Sequence, residues 1–248
     1  MFFPRGGSAH VARALAENLP AHGWDVTILS GSIGGGGLSD AERFYSGLDV
    51  RAVDFAAGDA PMHPSYEDRP DAPDRVFAAV DDAEYERHVG AWAAALEDVG
   101  AASFDVLHLH HLTPLHEAAA RVAPDVPVVA HLHGTELLML ERIASDPPPS
   151  WTHAEAWADR MRRWANRAER LLLLSPSQLE RVAKLLGMGE RRCVVCPNGF
   201  DPDRFAPRPV DRETHWRHHL VEHARGWRPH HGEGLREAAV EHNRGRRL

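Results

Sequence analysis

The chain has 248 residues, 43% of them hydrophobic, and a formal charge of −8 at pH 7. That is apolar material for one large domain or two small ones, and the acidic balance argues against general binding to nucleic acid or an anionic membrane, though a few local donors still suffice for a nucleotide ligand. No signal peptide is evident and no apolar run is long enough to span a bilayer, so the sequence reads as cytoplasmic, without a transmembrane segment.

Taken in chain order, the first element is a glycine turn leading into a helix. Gly6 and Gly7 permit a tight turn and close approach of the backbone, Ser8 is expected to cap the helix, and Val11, Ala12, Leu15 and Leu19 give it an apolar stripe. A helix N-terminus behind such a turn suits an anion or a sugar hydroxyl; the plain alternative is a strand-to-helix turn and nothing more. Only Met1, Phe2 and Phe3 precede Pro4, too few for a central parallel strand, so a missing first strand is expected.

Trp24 to Leu29 reads as a strand that runs into Ser30-Gly31-Ser32. It ends without an acidic residue to hold a ribose, and the first turn lacks Gly-x-Gly-x-x-Gly, so a nicotinamide enzyme is disfavoured. Gly34 to Gly37 reads as a mobile surface loop and Val50 to Phe55 as a short strand. Ala56 to Arg75, rich in Pro, Asp and Gly, reads as a long crossing loop, beside a ligand cleft or merely facing solvent. Val76 to Leu96 has helical spacing, with Val76, Phe77, Val80, Tyr85, Val89, Trp92 and Leu96 facing a core.

Phe104 to His111 is a buried-strand pattern ending in histidines, followed by a helix from about Pro114 to Val122 and a second apolar run from Val126 to Leu132. Strand, helix, strand is the unit of a parallel sheet, whose ligands gather at the carboxyl ends of the strands, where both histidine groups fall. His108 with His110, and His131 with His133, sit two apart and share a strand face, so zinc is one reading. The favoured reading keeps His108 and His131 structural, hydrogen-bonded to backbone, with no metal. His133, directly before Gly134, is placed to meet a polar ligand. His133-Gly134 has the start of an oxyanion loop, yet no Gly-x-Ser-x-Gly occurs and Ser8 lacks that flanking pattern, so ester hydrolysis ranks low.

Beyond the three prolines at 147–149, Thr152 to Ala168 reads as a helix with Trp157, Met161 and Trp164 near one face and its arginines solvated. Arg170 to Leu174 is a strand, Ser177 a cap for a helix from Gln178 to Leu186, and Val194 with Val195 the last strand. Cys193 and Cys196, three apart on a strand, point to opposite faces and read as two buried apolar thiols, not a disulfide or metal pair. Asn198-Gly199 forms a turn with Phe200 and Phe205 as apolar anchors. The organisation expected is a domain over residues 1–209 and a helical or partly disordered tail over 210–248; the i,i+4 histidines His215, His219 and His223 read as a surface helix, not a metal site.

Several of these motifs occur in an order that resembles family 4 glycosyltransferases of the two-Rossmann-domain, or GT-B, type. They are Pro4-Arg5-Gly6-Gly7-Ser8-Ala9-His10-Val11, the strand ending His108-Leu109-His110-His111, His133-Gly134-Thr135-Glu136, Ser175-Pro176-Ser177, and Pro197-Asn198-Gly199-Phe200-Asp201 with Phe205-Ala206-Pro207. The resemblance covers roughly Phe2 to Trp227 and implies an α/β fold, a Rossmann-like parallel sheet with flanking helices corresponding to the N-terminal half of the GT-B fold. It also implies retaining transfer of a sugar from a nucleotide diphosphate sugar to an unknown acceptor, with no metal and no further cofactor. By the same resemblance Gly6, Gly7 and Ser8 bind substrate and His133 approaches the transferred sugar as the catalytic contact. The family's second, donor-binding domain with its basic phosphate contacts and Glu-x7-Glu is not found, so activity is expected only with a donor domain supplied separately. The competing reading is a noncatalytic sugar- or nucleotide-binding module or an inactive fragment.

Overall fold

In the computed structural model the residues described are 6–32, 40–55, 64–66, 75–202, 205–206 and 209–223. The expected Gly34 to Gly37 loop, most of the Ala56 to Arg75 loop and the tail from Arg225 lie outside them. The chain divides into two compact units, Met1–Asn198 and Gly199–Leu248.

In the first unit helices and strands alternate: α1 (Gly7–Asn18), β1 (Ile28–Ser32), α2 (Ala41–Phe44), β2 (Val50–Asp54), the two-residue strands β3 (Pro64–Ser65) and β4 (Arg75–Val76), α3 (Asp82–Asp98), β5 (Leu107–His110), α4 (Leu115–Val122), β6 (Val128–His131), α5 (Thr135–Ser145), α6 (Ala154–Arg167), β7 (Arg170–Leu173), α7 (Leu179–Leu186) and β8 (Cys193–Val195). The main sheet has the order β5-β6-β7-β8, β1 pairs with β2, and each pairing is parallel. Parallel neighbours require crossovers, and helices supply them, which is why strands β5 and β6 read as short apolar runs with no exposed residue. This is the expected Rossmann-like α/β architecture. A groove of about 330 Å3 lies between α1, β1 and β5, lined in part by Ala12, Leu15, Ile28, Leu107 and Leu109.

The core is built where helical spacing meets the sheet. Trp157, Met161 and Trp164 fall on one face of α6 and are buried against Phe77 and Tyr85, with Trp157 donating its indole N–H to the Val80 carbonyl at 2.8 Å. The seven apolar positions expected from Val76 to Leu96 are all buried. They are not one helix, however. Val76 belongs to β4, Phe77–Ala79 forms a single 3-10 turn, and α3 starts only at Asp82, where the Asp81 carboxylate accepts from the Glu84 amide at 2.8 Å and fixes the helix start. At the other end of the domain α7 closes on Gly187 in the left-handed conformation (φ 68°), whose amide returns to the Ala183 carbonyl at 3.2 Å.

Several local expectations are corrected. The first strand is shifted from Trp24–Leu29 to Ile28–Ser32, leaving Trp24 46% exposed. Ser30, Gly31 and Ser32 pair with Ala52, Val53 and Asp54 of β2, and the Ser32 hydroxyl accepts from the Ala41 amide at 3.0 Å. Arg160 is buried, not solvated: its guanidinium lies 3.9 Å from the centre of the Tyr85 ring and pairs with Asp82. Ser175, rather than Ser177, accepts the local amide bond, and the helix begins at Leu179. Neither cysteine is buried, because β8 is the edge strand of its sheet; Cys193 is half-buried and Cys196 exposed, and both are free thiols.

In the second unit α8 (Arg212–Arg217) is capped by the Asp211 side chain and continues into a wider π turn over His218–Glu222. Phe200 and Phe205 are exposed, at 74% and 63%, so they do not anchor the turn as expected. No helix among the described residues is long and apolar enough to cross a membrane.

Candidate active site

Strands β5 and β6 end together, with His110 directly opposite His131 in the parallel register. Alternation puts His108, His110, His131 and His133 on one face. Their rings form a nearly parallel stack: His108 and His131 are tilted by 7° at 5.4 Å, His110 and His133 by 14° at 5.1 Å. His110 Nδ1 and His133 Nε2 share a hydrogen bond of 2.9 Å, so one ring donates and the other accepts. Burial pushes the imidazoles down, to about 4 for His108 and His131 and about 3 for His133, where the neighbouring histidines add to it; all remain neutral at pH 7.

The expectation that His108 and His131 bond to backbone is not met. Among the described residues neither nitrogen of His131 nor Nε2 of His108 has a hydrogen-bond partner; the rings are held by stacking on one another. One nitrogen from each of His108, His110 and His131 lies within 4.8 Å of the others. A metal must lie in the plane of every imidazole that binds it, and stacked rings place those planes side by side, so a shared ion would require rings to turn. His218, Glu222 and His223 make another such group, each of them exposed.

At the end of β5 the alternation breaks. His111 has φ 64°, a left-handed backbone that turns its ring out of the strand pattern. Gly134, with φ 98°, makes the corresponding turn after β6 and starts α5, bringing Glu136 into the first helical turn. Glu136 is fully buried. One carboxylate oxygen accepts from His111 Nδ1 at 2.5 Å; the other accepts from the His133 and Gly134 amides at 3.3 and 3.0 Å. Burial alone would raise its pKa, but the charge attraction and hydrogen bond of His111, with the backbone donors, outweigh that and leave it below the ordinary carboxylate value. His111 Nε2 shares a hydrogen bond of 2.9 Å with the Ser8 hydroxyl; in the neutral ring, with Nδ1–H donated to Glu136, Nε2 is the acceptor. His116 Nε2–H donates to the His111 carbonyl at 2.9 Å, and Tyr66 donates to that of Leu112 at 2.6 Å.

The edge therefore unites Ser8 with His133, whose ring centre is 4.7 Å from that of His111. Gly6 adopts φ 85° as the residue before α1, and Gly7 opens the helix. Ser8 does not cap α1 as the sequence reading held, because its hydroxyl is turned toward His111. The residues that the sequence reading missed are His111 and Glu136. Their signals were faint: an extra histidine past a strand end, and an acidic residue in a first helical turn.

Parallel strands whose carboxyl ends carry a glycine turn, a helix N-terminus and convergent polar groups define a Rossmann-like ligand-binding domain. The chain belongs to the family 4 glycosyltransferases: the model of Glycosyltransferase Family 4 matches residues 5–204. No curated protein matches the sequence. Members of this family generally use nucleotide diphosphate sugars as donors.

Proposed function

We propose that this domain receives the acceptor, and part of the donor sugar, in a retaining transfer from a nucleotide diphosphate sugar, with Gly6, Gly7 and Ser8 forming one wall of the cleft and His133 positioning the transferred sugar. The observation that carries the reading is the convergence of the glycine turn and His133 at one sheet edge through the Ser8–His111 hydrogen bond. A neutral imidazole at a strand exit can donate to or accept from a sugar hydroxyl without the penalty of a buried charge.

Among the described residues, the ionisable groups joined at this edge are histidines and Glu136, which give a departing diphosphate little positive charge. Phosphate departure needs positioned cations, so a donor-binding domain supplied by another segment or polypeptide completes the reaction. The test is transfer of a radiolabelled sugar from nucleotide diphosphate sugars to an acceptor panel, by the 248-residue chain alone and with a donor domain added. Little transfer alone, recovery on addition, and loss in His133→Ala with its fold intact are expected. Robust turnover by the chain alone refutes the dependence, and full activity in His133→Ala removes the proposed contact.

A further inference from the structure

Ser8, His111 and Glu136 form a continuous hydrogen-bonded chain that sugar transfer uses only in part. The links are short, 2.9 Å from the Ser8 hydroxyl to His111 Nε2 and 2.5 Å from His111 Nδ1 to a Glu136 oxygen. Their order is hydroxyl, imidazole, buried carboxylate. Glu136 is ionised and held on its far side by two backbone amides, so it fixes the tautomer in which Nε2 carries the free lone pair toward the hydroxyl. This is the relation by which a serine becomes a nucleophile: an adjacent base, oriented by a third group.

The surroundings fit the same chemistry. Ser8 lies in the first turn of the twelve-residue helix α1, whose leading amides have no partner within the helix and which receives no side-chain cap. Those N–H groups, at the positive end of the helix dipole, are placed to stabilise an oxyanion formed at Ser8. Among the described residues, a Cβ added to Gly6 or Gly7 would meet nothing within 4 Å, so the turn that leads into Ser8 is open there, and Ser8 itself is only partly buried. The His133 and Gly134 amides cannot serve as the oxyanion hole, because both already donate to Glu136.

We propose that Ser8 is the nucleophile of a second, hydrolytic activity of this chain toward carboxylic esters, with His111 as general base and Glu136 as the residue that positions it. The Ser8 oxygen attacks the ester carbonyl carbon while its proton passes to His111 Nε2, and the carbonyl electron pair moves onto the oxygen facing the α1 amides. Collapse of the tetrahedral intermediate breaks the bond to the alcohol oxygen, which leaves with the His111 proton and gives acyl-Ser8. Water then attacks the acyl carbon, losing a proton to His111; collapse of this second tetrahedral intermediate breaks the acyl bond to the Ser8 oxygen, which takes the proton back from His111, so that the carboxylic acid leaves and free Ser8 and neutral His111 are restored. The reaction consumes one ester and one water and needs no nucleotide sugar, so its failure and failure of the transfer reading are separately visible.

The experiment treats the purified full chain with p-nitrophenyl acetate and with a fluorophosphonate probe, and locates the adduct by peptide mass spectrometry. A phosphonyl adduct on Ser8 is expected, with labelling and p-nitrophenolate release falling at least about 100-fold in Ser8→Ala and in His111→Asn, which tolerates the left-handed backbone. Near-UV circular dichroism establishes that each variant is folded. Should His111→Asn fail to fold, alkylation of Ser8→Cys by iodoacetamide replaces it: a thiol reacting well below the pH at which exposed Cys196 reacts supports the pairing with His111, and one that titrates with Cys196 overturns it. Ester hydrolysis unchanged by Ser8→Ala, or an adduct elsewhere with Ser8 unlabelled, likewise overturns the proposal.

Discussion

Replacing Glu136 by Gln removes one charge and almost no volume. The carboxylate now accepts from His111 Nδ1 and from two backbone amides, and a Gln side chain offers only one oxygen for these two directions. Turning the oxygen toward His111 would set the NH2 group against the His133 and Gly134 amides, at about 1–3 kcal/mol for each donor left unsatisfied. Turning it toward the amides leaves only His111 to adapt, and an imidazole adapts by moving its proton from Nδ1 to Nε2. The second arrangement wins. Its net effect is the loss of a charge-assisted hydrogen bond, about 1.5–3 kcal/mol, partly offset because a buried charge has disappeared, so Glu136→Gln should destabilise by about 1–2 kcal/mol. Urea unfolding with an unchanged denaturant slope measures that figure, and the expected fall in Tm is about 2–8 °C. Long-range 15N–1H correlation spectra of His111 should show Nδ1–H in the parent and Nε2–H in the variant. Retention of the Nδ1–H tautomer, or an unfolding midpoint equal to the parent's, would refute the reasoning.

Acid should destabilise the fold well above the carboxylate range. His88, His108, His116 and His131 have pKa values lowered to about 4 by burial, so between that value and the ordinary histidine value of 6.5 the unfolded chain binds the extra protons. Stability then rises with pH by up to about 1.4 kcal/mol per unit for each such group; urea midpoints from pH 7.5 to 4.5 should fall steeply below 6.5, and a flat profile would contradict the burial. Trp157→Ala should destabilise by about 3–5 kcal/mol, whereas Trp157→Phe, which leaves the Val80 carbonyl without its donor, should lose about 1–3 kcal/mol, both read by denaturant unfolding. A thiol reagent should modify Cys196 quickly and Cys193 slowly, since partial burial raises the Cys193 pKa; equal rates followed by peptide mapping would contradict the edge-strand placement.

The strand and helix order was legible because apolar periodicity reports which face is covered: α6 carries its tryptophans at helical spacing, and β5 and β6 are short apolar runs between turns. Boundaries were less legible where small or polar residues sit inside. Ser30 and Ser32 are buried in β1 although neither announces a strand, and Arg160 is buried because it lies over Tyr85 and pairs with Asp82, partners that distance along the chain conceals. At the site, His133 and the glycine turn could be singled out from local pattern. The connection between them could not, since it passes through His111, whose left-handed backbone a sequence does not display, and through Glu136, whose burial only the folded loop after Gly134 creates.

The ring of His116 lies between two different worlds. On one side its Nε2–H donates to the His111 carbonyl, and on the other it stacks on Trp164 at 6.1 Å with only 18° between the planes. An imidazole beside an indole quenches its emission, and far more strongly once protonated. A ligand that shifts the His111 carbonyl should therefore be read as a change in the emission of Trp164, which is itself fully buried. Its neighbour Trp157 lies 6.1 Å away with 75° between the ring planes. Read against the rest of the chain's seven tryptophans, Trp164 offers an optical gauge of the cleft that needs no turnover assay.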